Sequence, residues 1–469
     1  MRRLANIAIA LLLTGCMVGP NYHRPDVNTP QSYRYEEKDA QNTANTDWWK
    51  EFNDPVLDSL IIESLANNLN VQIAAANIEQ AAGVLTQTRS ALFPQVSYAG
   101  SGVRERFTEN SVVPVPPGTP NPENSYQVLA GATWEIDMWG RIRRLSEAAR
   151  ANLLATQEAR RGVILSLVAS VANSYIQLRG LDDQLEVSKR TLASYAESLK
   201  LFELQFEHGQ VSKMIVEQSR SQYETAASVI PNVESQIVQT ENALCILLGR
   251  NPGPIQRGKS ISELTLPAVP VGLPSQLLER RPDLLQAEQN LIAANAQIGA
   301  AKALYFPSIS LTGAYGYQST ELSDLFKSPS RAWNYTGSFT GPIFTAGAIS
   351  GQVKQAEAAQ KAALLGYRNA ILSAFSDVEN SLVSRQKLSD QLKAQEGLVT
   401  SLREYDRLAW MQYNEGYTPY LTVLYAESQL FTAELSYVQT KTSFLNAFVN
   451  IYQAMGGGWI NNAEQLTVK

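Results

Sequence analysis

Two long stretches of this sequence carry the roughly 3.5-residue hydrophobic period of a coiled-coil seam, and each stops at a glycine. In the first stretch, apolar residues fall on alternating steps of three and four residues from Leu178 to Phe206, and the run ends at Gly209. The same register returns in the second half of the chain and ends at Gly416. The chain therefore contains an internal duplication, in which each copy has a long helix that turns at a glycine.

The helices of the first copy are bounded by residues that start and stop helices. Asp54 and Pro55 predict a helix start, since an Asp side chain accepts from free first-turn N–H groups and Pro suits the first helical position. A single helix should run from there to about Ser90, before Phe93-Pro94. We then expect a long helix from about Arg144 to His208 and a returning helix from Val211 to Leu248, kinked or broken at Pro231.

The second copy repeats this order of helices. Its boundaries are a helix start at Pro282, a break at Phe306-Pro307, a long helix from about Ala346 to Asn414, and a shorter helix that ends at Met455-Gly456. Both long helices are followed by a helix that returns antiparallel to them, as a short connection requires.

Between the helices the hydrophobic pattern changes to the alternation of β-strands. Residues 126–136 place apolar and aromatic side chains on one face and mostly polar ones on the other, over a length that can cross a bilayer, about 9–11 residues. A weaker partner strand lies at 96–103, and the Pro-rich stretch between the two predicts an external loop. The second copy has alternating runs at 309–317 and 333–343. The sequence thus predicts one hairpin in each copy.

Composition and charge narrow the function. The chain has 469 residues, 39 basic and 44 acidic, with no basic run, which argues against a nucleic-acid partner. The two histidines and two cysteines lie far apart in sequence, so neither a metal site nor a cofactor site is expected. No nucleophile–base grouping points to an enzyme. No apolar run approaches the roughly 20 residues of a membrane-spanning helix, so any membrane insertion must use the strands.

The N-terminus predicts secretion and lipid attachment. Arg2-Arg3, an apolar run at 7–13 and small residues before Cys16 form a secretory signal peptide over 1–15. The last four residues of this stretch, Leu13-Thr14-Gly15-Cys16, resemble the bacterial lipobox. That resemblance implies that Cys16 carries lipid, and that the anchor lies in the outer membrane because Met17 follows. The alternative is an ordinary cleaved signal with an incidental cysteine.

These boundaries divide the chain into segments. They are a signal peptide (1–15), a lipidated tether (16–53), a first repeat (54–249) with its hairpin at 94–137 and tip turn at 209, an equatorial crossover (250–281), a second repeat (282–456) with its hairpin at 307–344 and tip turn at 416, and a C-terminal tail (457–469).

Four membrane-crossing strands cannot close a barrel. An open strand edge in lipid leaves unpaired N–H and C=O groups, each costing several kcal/mol, so oligomerisation is required. Three copies give twelve strands, an even number within the range of outer-membrane barrels. We therefore expect an α+β membrane protein, a homotrimer whose 12-stranded barrel is continuous with a long helical coiled-coil barrel.

Several motifs together resemble the TolC-like outer-membrane efflux proteins, specifically their lipidated NodT/OprM-type branch. They are the duplicated helix–hairpin–helix plan, Trp48-Trp49 with Asp54-Pro55, the two Phe-Pro breaks, the stretch Arg280-Arg281-Pro282-Asp283, and the ending Met455-Gly-Gly-Gly-Trp459. The resemblance covers essentially the whole mature chain. It implies a trimeric duct in outer-membrane lipid that docks on a periplasmic adaptor and an inner-membrane pump, and that passes drugs or other toxic small molecules outward.

The resemblance also implies functional residues. The helix turns at the periplasmic tip contact the adaptor in this family, which assigns that role to Gly209 and Gly416. Glycine lets the backbone turn tightly and lets a partner helix approach. The alternative is that both are helix-capping glycines without a partner.

A pore gate is expected beside the second tip turn. Family members place a tyrosine three residues before the second glycine, which Tyr413 matches, and acidic residues six and nine after it, where this chain has Thr422 and Tyr425. Glu427 lies close by. We expect a constriction closed by stacked tyrosines, with Glu427 adding cation preference. Alternatively, Tyr413 and Tyr425 belong to the helix seam.

Four further interpretations belong to this stage. Arg280 and Arg281 are expected to bind local carbonyls and carboxylates instead of a ligand, and Cys245 is expected to be buried. The same tube could serve type I protein secretion or heavy-metal efflux. A periplasmic coiled-coil scaffold without a pore would leave the four bilayer-length strands unexplained.

Overall fold

The computed structural model describes residues 17–27, 30, 32–35, 47–108, 110, 118, 120–269 and 276–457. The elements of the first copy are α1 (Pro55–Asn67), α2 (Leu69–Ser90), β1 (Gln95–Glu105), β2 (Glu123–Ile136), α3 (Arg141–Glu207) and α4 (Lys213–Leu247). Those of the second copy are α5 (Leu277–Arg280), α6 (Pro282–Ala303), β3 (Ser308–Ser319), β4 (Arg331–Thr340), α7 (Ala348–Asn414) and α8 (Tyr420–Ala454). Apart from the helical turn α5 and the division of the first predicted helix into α1 and α2, their order is the one that the hydrophobic pattern predicts.

The helix start at Asp54 has the predicted geometry. The Asp54 carboxylate accepts from the backbone N–H of Val56 at 2.9 Å, and Pro55 occupies the first helical position. The same carboxylate accepts from the hydroxyl of Tyr175 at 2.8 Å and from the backbone N–H of Lys259 at 3.0 Å. Asp54 therefore joins α1 to α3 and to the crossover, and its charge is buried with three donors.

The prediction of one helix from Asp54 to Ser90 is wrong, because the chain breaks at Asn68. This residue is extended (ψ 126°), and its side-chain oxygen accepts from the N–H groups of Asn70 and Val71 at the start of α2. Its amide nitrogen donates to the carbonyl of Leu247 at 2.8 Å. Asn68 thus caps α2 through local bonds and is also bonded to the end of α4.

The four strands form one antiparallel sheet in the order β1-β2-β3-β4. Directly opposite residues of an antiparallel pair share a face of the sheet. The register therefore collects the apolar side chains of all four strands on one face, in rows such as Tyr98–Ala130–Tyr315–Trp333 and Val96–Ala132–Gly313–Tyr335. The other face carries polar rows such as Gln95–Thr133–Thr312–Thr336. The last strand ends at Thr340, so Ile343 lies outside it, contrary to expectation.

The chain divides into two compact units. Of the described residues, the first unit takes those within Met1–Asp26, Asn77–Thr156 and Ala287–Tyr367, and it includes the sheet. Small residues let α3 and α6 approach closely there, with Ala148 and Ala151 packed against Ala293 and Ala296.

The start of the tether is held in the first unit. The buried guanidinium of Arg144 donates to the carbonyl of Val18 at 3.2 Å and to the side-chain oxygen of Asn21 at 2.8 Å. Gly19 packs so tightly on Gly299 that a Cβ on Gly19 would lie 2.4 Å from the Gly299 Cα. The tether therefore begins as an ordered segment on α3 and α6.

The second unit takes Val27–Ala76, Gln157–Gln286 and Arg368–Lys469, again for the described residues only. The predicted seam of α3 is buried at Leu178, Leu181, Tyr195, Leu199 and Phe202. Ser188 interrupts the seam without leaving a free hydroxyl, because it donates to the carbonyl of Gln184 on its own helix at 2.8 Å. Phe206, at the end of the run, is exposed instead.

The structure also tests the expectations for Cys245, Pro231 and membrane-spanning helices. Cys245 is buried as predicted, and Trp48, Trp49 and Phe52 at the end of the tether are buried as well. A kink or a break was predicted at Pro231, and the break is absent because α4 is continuous through this residue. None of the described helices is long and apolar enough to cross a membrane.

Candidate functional site

Both tip glycines lie in the same helix-ending turn. Gly209 has φ +70°, its N–H donates to the carbonyl of Phe206, and the next N–H, of Gln210, reaches back to Gln205. Gly416 has φ +77° and makes the equivalent bonds to Tyr413, with Tyr417 bonding to Gln412. This is the Schellman motif, for which glycine is the favoured residue. The positive φ alone therefore explains why glycine occurs here.

The space around the two glycines distinguishes them from an ordinary helix cap. Gly249 ends α4 in the same turn, and a Cβ there would lie 2.3 Å from the carbonyl oxygen of Asn67. At Gly209 and Gly416 no described atom lies within 4 Å of a Cβ position. The two tips therefore have open space where another molecule can approach, which suits the predicted adaptor contact.

Tyr413 lies in an aromatic cluster that joins the two repeats. Its ring centroid is 5.5 Å from that of Tyr420 and 6.0 Å from that of Trp410. Phe202 of α3 packs on Tyr420 at 4.1 Å. The half-buried Tyr413 thus packs in the seam between α3, α7 and α8, as the alternative interpretation expected.

The other three gate candidates lie in different settings. The Thr422 hydroxyl is half-buried and lies 2.8 Å from that of Thr418. Tyr425 is 59% exposed, as a residue lining a channel would be in a single protomer. Glu427 is only 7% exposed. The structure brings Tyr413 and Glu427 to the same indole, that of Trp410, but it does not place Tyr425 with them.

Glu427, which is expected to add cation preference to the gate, lies among the packed helices. The Trp410 Nε1 donates to Glu427 Oε1 at 3.1 Å, so the carboxyl group points into the helix packing. Burial, and secondarily the charge of Asp406, raises the pKa of Glu427 to about 7. Glu427 is thus turned toward the packing of α7 and α8, and its contribution to cation preference stays a prediction. Tyr425 therefore stays the stronger gate candidate, as a prediction.

Sequence reasoning missed an ion-pair network in which the buried Glu434 binds two exposed arginines. Its two carboxylate oxygens accept from Arg190 of α3 at 2.6 Å and from Arg403 of α7 at 2.7 Å. A signal was present, because Glu427 and Glu434 lie one heptad apart among the buried seam residues of α8. Acidic residues at seam positions indicate partners on the facing helices.

The remaining candidates have structural partners. Arg281 donates to the carbonyl of Ala454 at 3.0 Å and to Asp283 and Asp377 at 2.8 and 2.9 Å, which confirms the expected local role. No group of three His, Cys, Asp or Glu residues in the described part of the chain could hold a metal ion. The proposed signal peptide, Cys16, and the ending at Trp459 lie outside the described residues.

The chain is similar to a known protein family, to individual proteins of known role, and to a solved structure. The family model described as outer membrane efflux protein matches residues 60–250 and 273–457. The toluene efflux pump outer membrane protein TtgF of Pseudomonas putida is 35% identical over 471 residues, 98% of each chain. The cation efflux system protein CusC of Escherichia coli is 35% identical, covering 97% of this chain and 99% of that one. The Campylobacter jejuni CmeC outer membrane channel superposes with a TM-score of 0.90 at 25% identity, over 96% of this chain and 98% of that one.

Proposed function

Because this chain belongs to the outer membrane efflux protein family, we propose that it forms the outer-membrane exit duct of a tripartite efflux system. The resemblance to TolC-like efflux proteins is confirmed by the family match and by relatives that span nearly the whole chain. The duct passes toxic small molecules outward and carries out no chemistry of its own.

The four-stranded sheet is the single observation that carries this proposal. Its strands have 11, 14, 12 and 10 residues, enough to cross a bilayer at the usual tilt. One face is apolar and aromatic, with Tyr98, Trp333, Tyr335 and Phe339 all at least 66% exposed. An exposed apolar face of this size is stable in lipid, as in outer-membrane barrels. A scaffold confined to the periplasm would expose this face to water.

A trimer supplies the pairing that one sheet lacks. Within the described residues, β1 and β4 each have one neighbouring strand and hence one unpaired edge. Three copies that join β4 of one to β1 of the next would close twelve strands and satisfy every edge. The homotrimer and its barrel are part of the proposal.

Partners are proposed at the two tip turns and at the N-terminus. The open tips at Gly209 and Gly416 would receive the hairpin of a periplasmic adaptor, which links the duct to an inner-membrane pump. Lipid on Cys16 would anchor the N-terminus in the outer membrane, close in sequence to Val18 and Asn21, which Arg144 holds.

The names of the relatives favour efflux of small molecules or metal ions over protein secretion. TtgF is named for toluene efflux and CusC for cation efflux, and neither name refers to protein secretion. Efflux is thus favoured over type I secretion. Heavy-metal efflux remains the alternative to efflux of drugs or solvents.

Deletion of the gene tests the proposal. We expect increased susceptibility to some members of a panel of antibiotics, solvents and metal salts, restored by the wild-type gene on a plasmid. Unchanged susceptibility to the whole panel, together with loss of a secreted protein, would instead support the secretion role and contradict efflux.

A further inference from the structure

A cavity of about 350 Å³ lies between α3, α7 and α8 in the second unit. It lies apart from the tip glycines and from the exposed side chain of Tyr425. Its charged lining residues are Arg190, Arg403, Asp406, Glu427 and Glu434. The others are the aromatic residues Tyr195 and Phe431, the aliphatic Leu430, and the hydroxyl-bearing Thr191 and Ser194. Glu427 was considered above for the gate and Glu434 for its ion pairs, but neither account uses the cavity itself.

Three residues that line this cavity each have a buried side-chain oxygen without a hydrogen-bond partner among the described residues. These oxygens are Glu427 Oε2, Asp406 Oδ1 and the hydroxyl of Tyr195. Tyr195 is 3% and Glu427 7% exposed, so water reaches these side chains poorly. Buried polar atoms are nearly always paired in folded proteins, and an unpaired one costs about 1–3 kcal/mol. The three oxygens therefore indicate a site for a group that donates hydrogen bonds.

The charges of the lining favour a cation. Both guanidinium groups, of Arg190 and Arg403, are engaged by Glu434. Asp406 and Glu427 have no comparable cationic partner among the described residues, so the lining carries three carboxyl groups against two guanidinium groups. Burial and the neighbouring carboxylate of Glu434 raise the pKa of Asp406. Burial, followed by the charges of Glu427 and Asp406, raises the pKa of Tyr195, which places all three groups within electrostatic reach of each other.

We propose that this cavity binds the primary ammonium group of a small organic amine, held by Glu427, Asp406 and Tyr195. A primary ammonium has three N–H donors, one for each unpartnered oxygen. The rings of Tyr195 and Phe431 and the side chain of Leu430 form the wall against which its organic part packs, and an aromatic face also attracts a cation. A bare divalent metal fits less well, because no metal-holding group of three such side chains occurs in the described residues.

Calorimetric titration of the full-length protein in detergent tests this site, with benzylamine as the cationic probe and benzyl alcohol as its neutral counterpart. At about pH 8 the amine is a cation and Glu427 is mostly ionised. We expect benzylamine to bind, and benzyl alcohol to bind at least about 10-fold more weakly, since a charge-assisted hydrogen bond is lost. Affinity for benzylamine should also fall as the pH is lowered through about 7, because a proton competes for Glu427.

Matched variants separate the cavity from general surface charge. Glu427→Gln should weaken benzylamine binding about 10-fold or more, and Tyr195→Phe, which keeps the ring, about 3-fold or more. Glu404→Gln is the control, since Glu404 lies on the same helix as Asp406 but is exposed and paired with Arg407. Absence of benzylamine binding to the wild-type protein, equal binding of the alcohol, or an equal loss in Glu404→Gln would each overturn the proposal. If Glu427→Gln fails to assemble, Tyr195→Phe and the neutral probe still decide it.

Discussion

The indole of Trp410 on α7 donates a hydrogen bond to Glu427 on α8 over 3.1 Å, and the same indole packs on Tyr413 three residues before the tip glycine Gly416. A buried carboxyl group is thus linked through two aromatic rings to the turn proposed to dock the adaptor. The helix packing beside this turn should therefore respond to the protonation of Glu427.

The stability of the protein should fall as the pH rises through about 7. The pKa of Glu427 in the folded protein is raised to about 7 from its ordinary value of 4.5. The stability that the protonated group contributes is therefore fully present below about pH 4.5 and is lost as the pH rises from there through about 7. Glu427→Gln keeps an acceptor for Trp410 and cannot ionise. We expect it to flatten the pH dependence and to stabilise the protein at about pH 8 by on the order of 2–3 kcal/mol. Thermal unfolding between about pH 5 and 8 measures this, with Glu404→Gln as control. An unchanged pH dependence in Glu427→Gln would show that another group controls stability.

Substitution of the tip glycine should impair function without impairing folding. Gly416→Asn tolerates the left-handed backbone and places a side chain where no described atom lies within 4 Å. We expect near-normal protein levels and thermal stability but increased susceptibility to toxic compounds, with reduced cross-linking to the adaptor. Gly249→Ala is the contrasting variant, because its Cβ would lie 2.3 Å from the Asn67 carbonyl oxygen and should destabilise the fold itself. Normal efflux in Gly416→Asn would remove this glycine from the docking site.

Tyr425 should affect conductance and leave stability unchanged. The side chain is 59% exposed, so Tyr425→Ser should change the free energy of unfolding by less than about 0.5 kcal/mol. If Tyr425 narrows the pore, single-channel conductance in a planar bilayer increases in this variant. Leu421, one helical turn earlier, lies on the same face of α8 and is 60% exposed, so Leu421→Ser tests whether the effect is confined to Tyr425. Conductance equal to that of the wild-type protein would exclude Tyr425 from the gate.

Membrane insertion should depend on one face of the sheet. Tyr335 belongs to the apolar face and is 80% exposed, while its neighbour Asn334 points to the polar face. A lysine on the lipid face of a barrel costs about 2–4 kcal/mol near the bilayer midplane. Tyr335→Lys should therefore reduce the amount of folded protein in the outer-membrane fraction, whereas Asn334→Lys should leave it close to normal. Equal loss in both variants would contradict the assignment of the lipid face.

Much of the fold could be predicted from the sequence because its signals are local. The strand alternation at 126–136, the Phe-Pro breaks and the glycines at 209 and 416 each act on the residues beside them. Two copies of the pattern then reinforced each interpretation. This explains why the long helices α3 and α7 begin within a few residues of the predicted positions.

The predictions from sequence are wrong or incomplete where contacts between residues distant in sequence determine the structure. The sequence around Asn68 is compatible with helix, and at the break its side chain bonds to the carbonyl of Leu247. The burial of Glu427 depends on Trp410 of the preceding helix, and the position of Glu434 depends on arginines of two other helices. Periodicity identifies which residues lie on a seam, but it does not reveal which polar residue finds its partner there.

The measurement that tests the efflux role most directly is the rate at which loaded cells release toxic compounds. Cells with and without the gene are loaded with toluene, a cationic dye or a metal cation, classes that include those for which TtgF and CusC are named, and release is followed after energy is supplied. Our account predicts that at least one compound leaves wild-type cells faster than deletion cells, and that the plasmid-borne gene restores the faster rate. Equal release rates for every compound in both strains would contradict it.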